Sequence, residues 1–565
     1  MPVGSERNGA EDGRTRVVDY IAERLVRRGV RHVFGVDGAN IEDFYDAAHS
    51  CPDLTAVVAK HEFSAAAMAD AYSRAGCGLG VVCATSGGGA LNTLPGLGES
   101  FASRVPVLAL IGQPPTTSDG LGSFQDTSGV NGALPGEALF AAVSVFCERI
   151  VTADDIVTAL PRAISAATTI GGPAVLLLPK DIQQAAVKPT RDDPADDAPP
   201  EVGHLTELVD LLRSTDGPVT IIAGDQVARD DARAELETLR AVLKANVATV
   251  ADAKDAAVES LGVAGVMGHP AVVAALGDSA LCLVIGTRLP LMARGGLDAV
   301  LGSVSVASIG ARAPYLPSTH IESHDLRRSL TQLATALADT ESRMPAAQPG
   351  RGELTPPEHA GAGVRYRDAM RALDGLLPQD ADIVVDAGNI GAAAIHWLPA
   401  RRDGRFLVAL GMGGMGYSFG AGIGMAFARN RRTVVIAGDG SFFMHGMEIH
   451  TALHYRLPVT FLLFDNHAHA MCVTREQLFY GDRYSYNRFG PSRLGAGLSA
   501  MFPALPSVDV TDIGELGVAV KAALDADGPS VVSVECSADE IPPFTAFLGA
   551  TTQLDQSPQP DSRER

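Results

Sequence analysis

Along most of the chain, short apolar runs alternate with segments whose apolar positions recur at helical spacing. The runs His32–Val36, Leu54–Ala59, Leu79–Ala84, Val105–Ile111 and Ala174–Leu178 predict strands, and Ile41–Ala48 and Phe63–Arg74 predict helices. Further strands are predicted at Val219–Ala223, Leu281–Ile285 and Val304–Ile309. Late in the chain, apolar strands run from Arg432 to Gly438 and from Pro458 to Asp465, with a helix predicted over Gly446–Arg456. A strand–turn–helix–strand unit makes its two strands parallel neighbours. Two Pro-rich stretches, Lys188–Pro200 and Met344–Gly363, read as linkers. They separate three α/β blocks, near residues 14–186, 205–340 and 365–545. The polar tail Thr551–Arg565 reads as disordered.

Composition narrows the function. The 565 residues are 46% hydrophobic and carry a formal charge of −21. That charge excludes non-specific nucleic-acid binding and attachment to an anionic membrane surface, though a local site can still take an anion. The seven cysteines show neither CxxC nor zinc spacing and read as reduced core residues. Met1–Arg16 is polar without an apolar signal region, and no apolar run is long enough to span a bilayer. These features predict a cytoplasmic protein.

Candidate chemistry gathers where strands end. The first late strand ends in Gly438-Asp439-Gly440-Ser441 and the second in Asp465-Asn466. Parallel pairing brings Asp439 and Asn466 out side by side at the carboxyl edge of the sheet, where open α/β sheets bind ligands. A carboxylate and an amide oxygen, both hard, suit Mg²⁺ shared with a phosphorylated ligand. Gly440 and Ser441 would turn N–H groups and a hydroxyl toward phosphates. In the first block, Glu62 follows a strand end and opens a helix, either directed into a crevice or simply complementing the helix dipole. Gly411-Met-Gly-Gly-Met415-Gly416 satisfies GxGxxG formally, but the next strand ends in Gly-Asp-Gly-Ser rather than in a ribose-binding acid, so the dinucleotide reading fails on context.

These motifs resemble those of the thiamin diphosphate (ThDP) enzymes. The family signature opens with Gly-Asp-Gly and closes with Asn-Asn; here the opening is intact and Asp465 replaces the first Asn. The resemblance implies three doubly wound parallel-sheet α/β domains, in the order pyrimidine-binding, middle and diphosphate-binding. It implies Asp439, Asn466 and the Ala468 carbonyl as Mg²⁺ ligands, and Gly438, Gly440 and Ser441 at the diphosphate. Lys60-His-Glu62, followed by an Ala-rich helix and Ala69-Asp-Ala-Tyr72, implies that Glu62 is the catalytic acid. In that role it controls the tautomer of the cofactor's aminopyrimidine, so that the ring amine can deprotonate the thiazolium carbon. Thr85-Ser-Gly-Gly-Gly-Ala-Leu-Asn92 looks like the family turn that packs the cofactor ring, with Gly88 in place of Pro and Leu91 in place of Thr. Asp386-Ala-Gly388-Asn389 resembles the turn that offers N–H groups to the diphosphate. By the same resemblance Gly413 and Met415 lie under the bent cofactor, and Met471 also contacts it.

The branch closest in motif is the acetolactate synthases. Phe124-Gln125-Asp126 stands where they carry Phe-Gln-Glu near the substrate, and Leu478-Phe-Tyr480…Arg483-Tyr-Ser485 matches their run after the metal site. Arg475 stands where their acceptor-shaping Trp stands, and the pattern they use for FAD is missing from the middle block. The expected activity is therefore a ThDP- and Mg²⁺-dependent carboligase, and the missing pattern argues against FAD. It would decarboxylate a small 2-oxo acid such as pyruvate and add the product to a carbonyl acceptor. Arg475 would favour an anionic or polyhydroxylated acceptor if it faces the site, or would be a surface arginine if it does not. A non-ligating decarboxylase, an acyl-CoA lyase relative and an idle regulatory homologue remain open. The resemblance also implies a homodimer or homotetramer.

Overall fold

The computed structural model describes residues 13–76, 78–188, 203–257, 259–339, 346–347 and 349–556. Three parallel sheets organise them. The first contains β1 (His32–Val36), β2 (Thr55–Val58), β3 (Gly80–Ala84), β4 (Val107–Gln113), β5 (Phe146–Arg149) and β6 (Pro173–Pro179), in spatial order β2-β1-β3-β4-β6-β5. The second contains β7 (Val219–Ala223), β8 (Asn246–Thr249), β9 (Leu281–Ile285), β10 (Ser305–Gly310) and β11 (Thr319–Glu322), ordered β8-β7-β9-β10-β11. The third contains β12 (Asp382–Val385), β13 (Phe406–Val408), β14 (Thr433–Gly438), β15 (Val459–Asp465), β16 (Ser507–Val510) and β17 (Ser530–Glu535), ordered β13-β12-β14-β15-β17-β16. The central strands β3, β4, β6, β7, β9 and β15 are buried along their full length, as parallel strands covered on both faces require.

The chain divides into two units. One comprises Met1–Pro199, Leu410–Arg429 and Met447–Thr451; the other comprises Pro200–Ala409, Asn430–Gly446 and Ala452–Arg565. In the first unit, α1 (Glu62–Arg74) and α2 (Gly88–Ser103) follow β2 and β3. In the second, α3 (Asn389–Trp397) follows β12. The helix α4 (Tyr417–Arg429), late in sequence, packs on α1 within the first unit. Small residues set that packing: a Cβ at Gly420 would lie 2.4 Å from the Ser64 carbonyl oxygen, and one at Gly424 would lie 2.1 Å from that of Met68. The Ala-rich face of α1 and the glycines of α4 thus let two backbones approach closely. Three further helices matter: α5 (Asp439–His445), α6 (Ala470–Tyr480) and α7 (Thr545–Gln556).

His32–Val36, Val219–Ala223 and Leu281–Ile285 form with the predicted ends, and the other predicted strands form with ends shifted by a residue or two, as terminal hydrogen bonding decides. The helix expected over Gly446–Arg456 is instead a 3₁₀ turn, Gly446–Glu448, followed by a short helix, Ile449–His454. The tail expected to be disordered from Thr551 begins inside α7, which continues to Gln556; residues 557–565 lie outside those described. Its first turn is anchored: Thr545 N donates to the Val266 carbonyl at 2.8 Å, and Phe547 is buried against Phe544. Most of the Lys188–Pro200 linker lies outside the described residues.

Candidate active site

In the second unit, the register Gly438↔Phe464 on β14 and β15 brings the two polar strand ends together. Asp439 opens α5 with Gly438 as its N-cap and is fully buried. Its Oδ1 accepts from Asn466 N at 3.4 Å and its Oδ2 from Ala468 N at 3.0 Å, so the carboxylate organises the loop that carries the other two expected ligands. Asn466 Nδ2 donates to the Tyr366 hydroxyl at 3.2 Å, leaving Asn466 Oδ1 buried without a hydrogen-bond partner. Burial, and then the nearby charge of Asp465, push Asp439 up to about 7. A buried carboxylate raised in this way, beside an orphaned amide oxygen, suits a hard divalent cation, which would satisfy both.

The turn expected at the diphosphate lies next to this cluster. Asp386 follows β12, and its Oδ1 accepts from Ser441 Oγ at 2.8 Å, joining the Asp-Ala-Gly-Asn turn to the Gly-Asp-Gly-Ser turn. Gly388 has φ +119, a conformation that L side chains avoid, and the space a Cβ would enter is open. Asn389 begins α3, is buried, and donates to Thr474 Oγ1 at 3.2 Å, while its Oδ1 has no partner. Gly440 and Ser441 are buried in the first turn of α5. On α6, Met471 is half-buried and Arg475 is exposed, its guanidinium donating to Cys472 Sγ at 3.1 Å.

The first unit holds the other candidates. His61 caps α1, its Nδ1 accepting from Phe63 N at 3.1 Å, and Glu62 takes the first helical position. Asn92 Nδ2 donates to Glu62 Oε2 at 2.9 Å. Thr85 lies beside them: a Cβ on Gly89 would sit 2.9 Å from Thr85 Cγ2 and 3.0 Å from Glu62 Oε1. The glycine triplet therefore lets α2 approach the carboxyl. Gln125 accepts from Ser86 Oγ at 3.2 Å and packs against Gly87, whereas Phe124 is 83% exposed. The loop carrying Gly413 and Met415 is held by Glu99, whose carboxylate accepts from the backbone N–H groups of Gly411, Met412 and Gly413 at 3.1, 2.6 and 3.3 Å. Met415 is half-buried in that loop.

Several groups escaped the sequence reading. Glu99 is buried and also accepts from Ser103 Oγ at 2.7 Å; an acid inside a Gly- and Ser-rich helix was the available signal. Asp70, part of the family motif, belongs to a buried network with Arg74, Ser100 and the Tyr417 hydroxyl that joins α1 to α4. Asp465 is coupled to His467, whose Nδ1 lies 3.0 Å from Asp465 Oδ1 and whose Nε2 lies 2.9 Å from Glu535 Oε1. His467 adopts φ +53 between the two expected ligand positions, a left-handed turn held from both sides. At the carboxyl edge of the second sheet, Gln226 donates to Asp230 and to the Ser323 carbonyl at 3.0 Å each and accepts from Ala311 N at 2.9 Å.

Comparison with known proteins identifies the chain's domains. Residues 15–131 match the thiamine pyrophosphate enzyme N-terminal TPP-binding domain, 205–308 the central domain and 386–534 the C-terminal TPP-binding domain. The chain belongs to the thiamine pyrophosphate enzymes, and it is a ThDP-dependent enzyme of the carboligase and transferase kind. Within that family it is acetolactate synthase-like. It is 26% identical to acetolactate synthase 3, chloroplastic, of Brassica napus, over 97% of this chain and 88% of that protein. It is 28% identical to a probable acetolactate synthase large subunit of Methanocaldococcus jannaschii, over 84% of each chain. Its fold matches a structure from Mycobacterium smegmatis described as a thiamin diphosphate-dependent enzyme, with TM-score 0.76 and 21% identity, covering 93% of this chain and 100% of that one. No helix among the described residues is long and apolar enough to cross a membrane.

Proposed function

We propose that the protein is a Mg²⁺-dependent carboligase that decarboxylates a small 2-oxo acid, pyruvate in the simplest case, and joins the remaining fragment to a carbonyl acceptor. The observation that carries the reading is the pairing of buried Asp439 with the orphaned Asn466 Oδ1 beside the open Gly388 turn. Bound ThDP would supply a carbon nucleophile and an electron sink. Asp439, Asn466 and the Ala468 carbonyl would hold the metal, which would neutralise charge on the diphosphate. Backbone N–H groups at Gly388, Asn389, Gly440 and Ser441 would take the remaining phosphate oxygens. Glu62, oriented by Asn92, would hold and return the proton at the aminopyrimidine ring. Met415 and Gly413 would support the cofactor from a loop braced by Glu99, and Thr85 and Met471 would line it.

Phe124 and Gln125 are proposed to meet the donor, and Arg475 the acceptor. The exposed guanidinium of Arg475 replaces an aromatic wall with a cation, which favours an acceptor bearing a carboxylate or phosphate. FAD is not part of this reading, because the middle block lacks the family's FAD-binding pattern and carries Arg288-Leu-Pro-Leu-Met-Ala-Arg294 instead. A homo-oligomer and a cytoplasmic setting complete the proposal; the free cysteines Cys51, Cys83, Cys147, Cys282, Cys472 and Cys536 support the latter. Mass spectrometry of products formed from pyruvate with ThDP and Mg²⁺ tests it. Acetolactate or acetoin is the expected outcome, and acetaldehyde alone would replace ligation with simple decarboxylation.

A further inference from the structure

The third-sheet helix α3 begins at the diphosphate turn, and its opposite end is gripped by groups from the middle part of the chain. Lys254 lies on the 3₁₀ segment Ala251–Ala256 and is 4% exposed. Its Nζ donates to the carbonyl oxygens of Ala394 (3.1 Å), Ile395 and Leu398, and it stands 5.1 Å from the Phe406 ring centroid. The last carbonyls of a helix have no intrahelical partner. An ammonium has three N–H groups, and here three acceptors receive them. Burial draws the Lys254 pKa well down, yet a neutral amine has only two N–H groups to offer the three carbonyls. The partners are carbonyls at a helix C-terminus, where a cation complements the dipole.

A second contact acts at the same end. The His396 ring on α3 stacks on His269 at 4.3 Å between centroids and 16° between planes. His396 Nε2 accepts from Leu354 N at 3.0 Å, so Nδ1 is the donor to the Met267 carbonyl at 2.9 Å. At the other end of the same nine-residue helix stand Gly388, with open space above it, and Asn389, with an unpartnered buried oxygen.

We propose that Lys254 is a positioning residue for the diphosphate, holding α3 by its C-terminal carbonyls so that the N–H groups at Gly388 and Asn389 are aimed before the cofactor arrives. The middle domain is then a clamp on the cofactor-binding helix, with His269 as its second jaw. The inference rests on reading Gly388 and Asn389 as the diphosphate turn. Removing the ammonium takes the lysine donor from the Ile395 and Leu398 carbonyls, leaves Ala394 with only the Leu398 N–H, and lets α3 shift along its axis. That weakens an anion site at its far end without touching donor or acceptor.

The test is calorimetric titration of ThDP, at fixed Mg²⁺, into the unaltered protein, Lys254→Met and His269→Leu, with thermal unfolding of each in the absence of cofactor. The ThDP Kd should rise about tenfold or more in Lys254→Met, in keeping with loss of a partly buried helix-terminus cation. It should rise about threefold in His269→Leu, through loss of ring stacking. At saturating ThDP, kcat and the donor KM should stay within about twofold. A merely structural lysine would lower the unfolding temperature and leave the ThDP Kd in place, and that result overturns the proposal. If Lys254→Met does not fold, His269→Leu decides, and an unchanged ThDP Kd there overturns the clamp. Failure of the unaltered protein to take up ThDP would remove the diphosphate turn itself, and the clamp with it.

Discussion

Asn92 donates from its amide to Oε2 of Glu62 at 2.9 Å, tying the start of α2 to the first residue of α1. The bond orients the carboxyl and leaves Oε1 over Gly89, where even a methyl group would lie within 3.0 Å. Glu62→Gln should lower kcat by about 10²- to 10⁴-fold, the range for loss of a general acid–base group. Asn92→Ala should cost about tenfold by loosening the same carboxyl. Steady-state rates at saturating ThDP check both, and calorimetry should show cofactor uptake retained in each.

Asp439 and Asn466 predict metal dependence. Chelation of Mg²⁺ should release ThDP on gel filtration, and adding the metal back should restore it. Asp439→Asn replaces the carboxylate with a neutral amide and should raise the Mg²⁺ requirement by about 10-fold or more, as for loss of a hard ligand. Cofactor retention indifferent to chelator would remove the metal from the account.

Arg475 is exposed on α6, with Cys472 Sγ as its hydrogen-bond partner, and so is free to turn toward a ligand charge. Arg475→Trp should shift acceptor preference away from anionic carbonyl compounds while leaving decarboxylation of the donor within about threefold. Competition between a charged and a neutral acceptor measures the shift. An unchanged product ratio would make Arg475 a surface residue.

Glu540 supplies a pH signature. Burial pushes its carboxyl up to about 7, partly offset by the Tyr366 N–H that it accepts at 3.0 Å. The folded state thus holds this proton more tightly than the unfolded chain, and the group's contribution to stability falls as pH rises from 4.5 to about 7. Glu540→Gln keeps an acceptor for Tyr366 and removes the ionisation. The variant should gain on the unaltered protein across that window, by at most roughly 3 kcal/mol. Urea midpoints below and above the window give the difference, and a constant difference would contradict the assignment.

How much was legible in the sequence follows from where the information is stored. Gly438–Ser441 and Asp465–Asn466 could be placed because apolar strands stopping in small polar clusters announce a sheet edge, and the register Gly438↔Phe464 brings those clusters together as expected. Glu62 and Asn92 were each legible as turn residues, but their hydrogen bond depends on Gly89 permitting α2 to close in. The Asp465–His467–Glu535 chain and Lys254 were not legible, and Glu99 showed only as an acid inside a Gly- and Ser-rich helix. Their partners are backbone groups or residues far away in sequence, and a buried acid or lysine looks locally like a solvated one. The docking of α4 on α1 was hidden for the same reason: its glycines matter only once the facing carbonyls of Ser64 and Met68 are in place.

The most direct measurement is single-turnover release of CO₂ from a panel of 2-oxo acids by the purified protein, with and without ThDP and Mg²⁺, beside Glu62→Gln. The account predicts a burst that needs both additions and that Glu62→Gln slows at least about a hundredfold. Release that is independent of ThDP, or equally fast in Glu62→Gln, would contradict it.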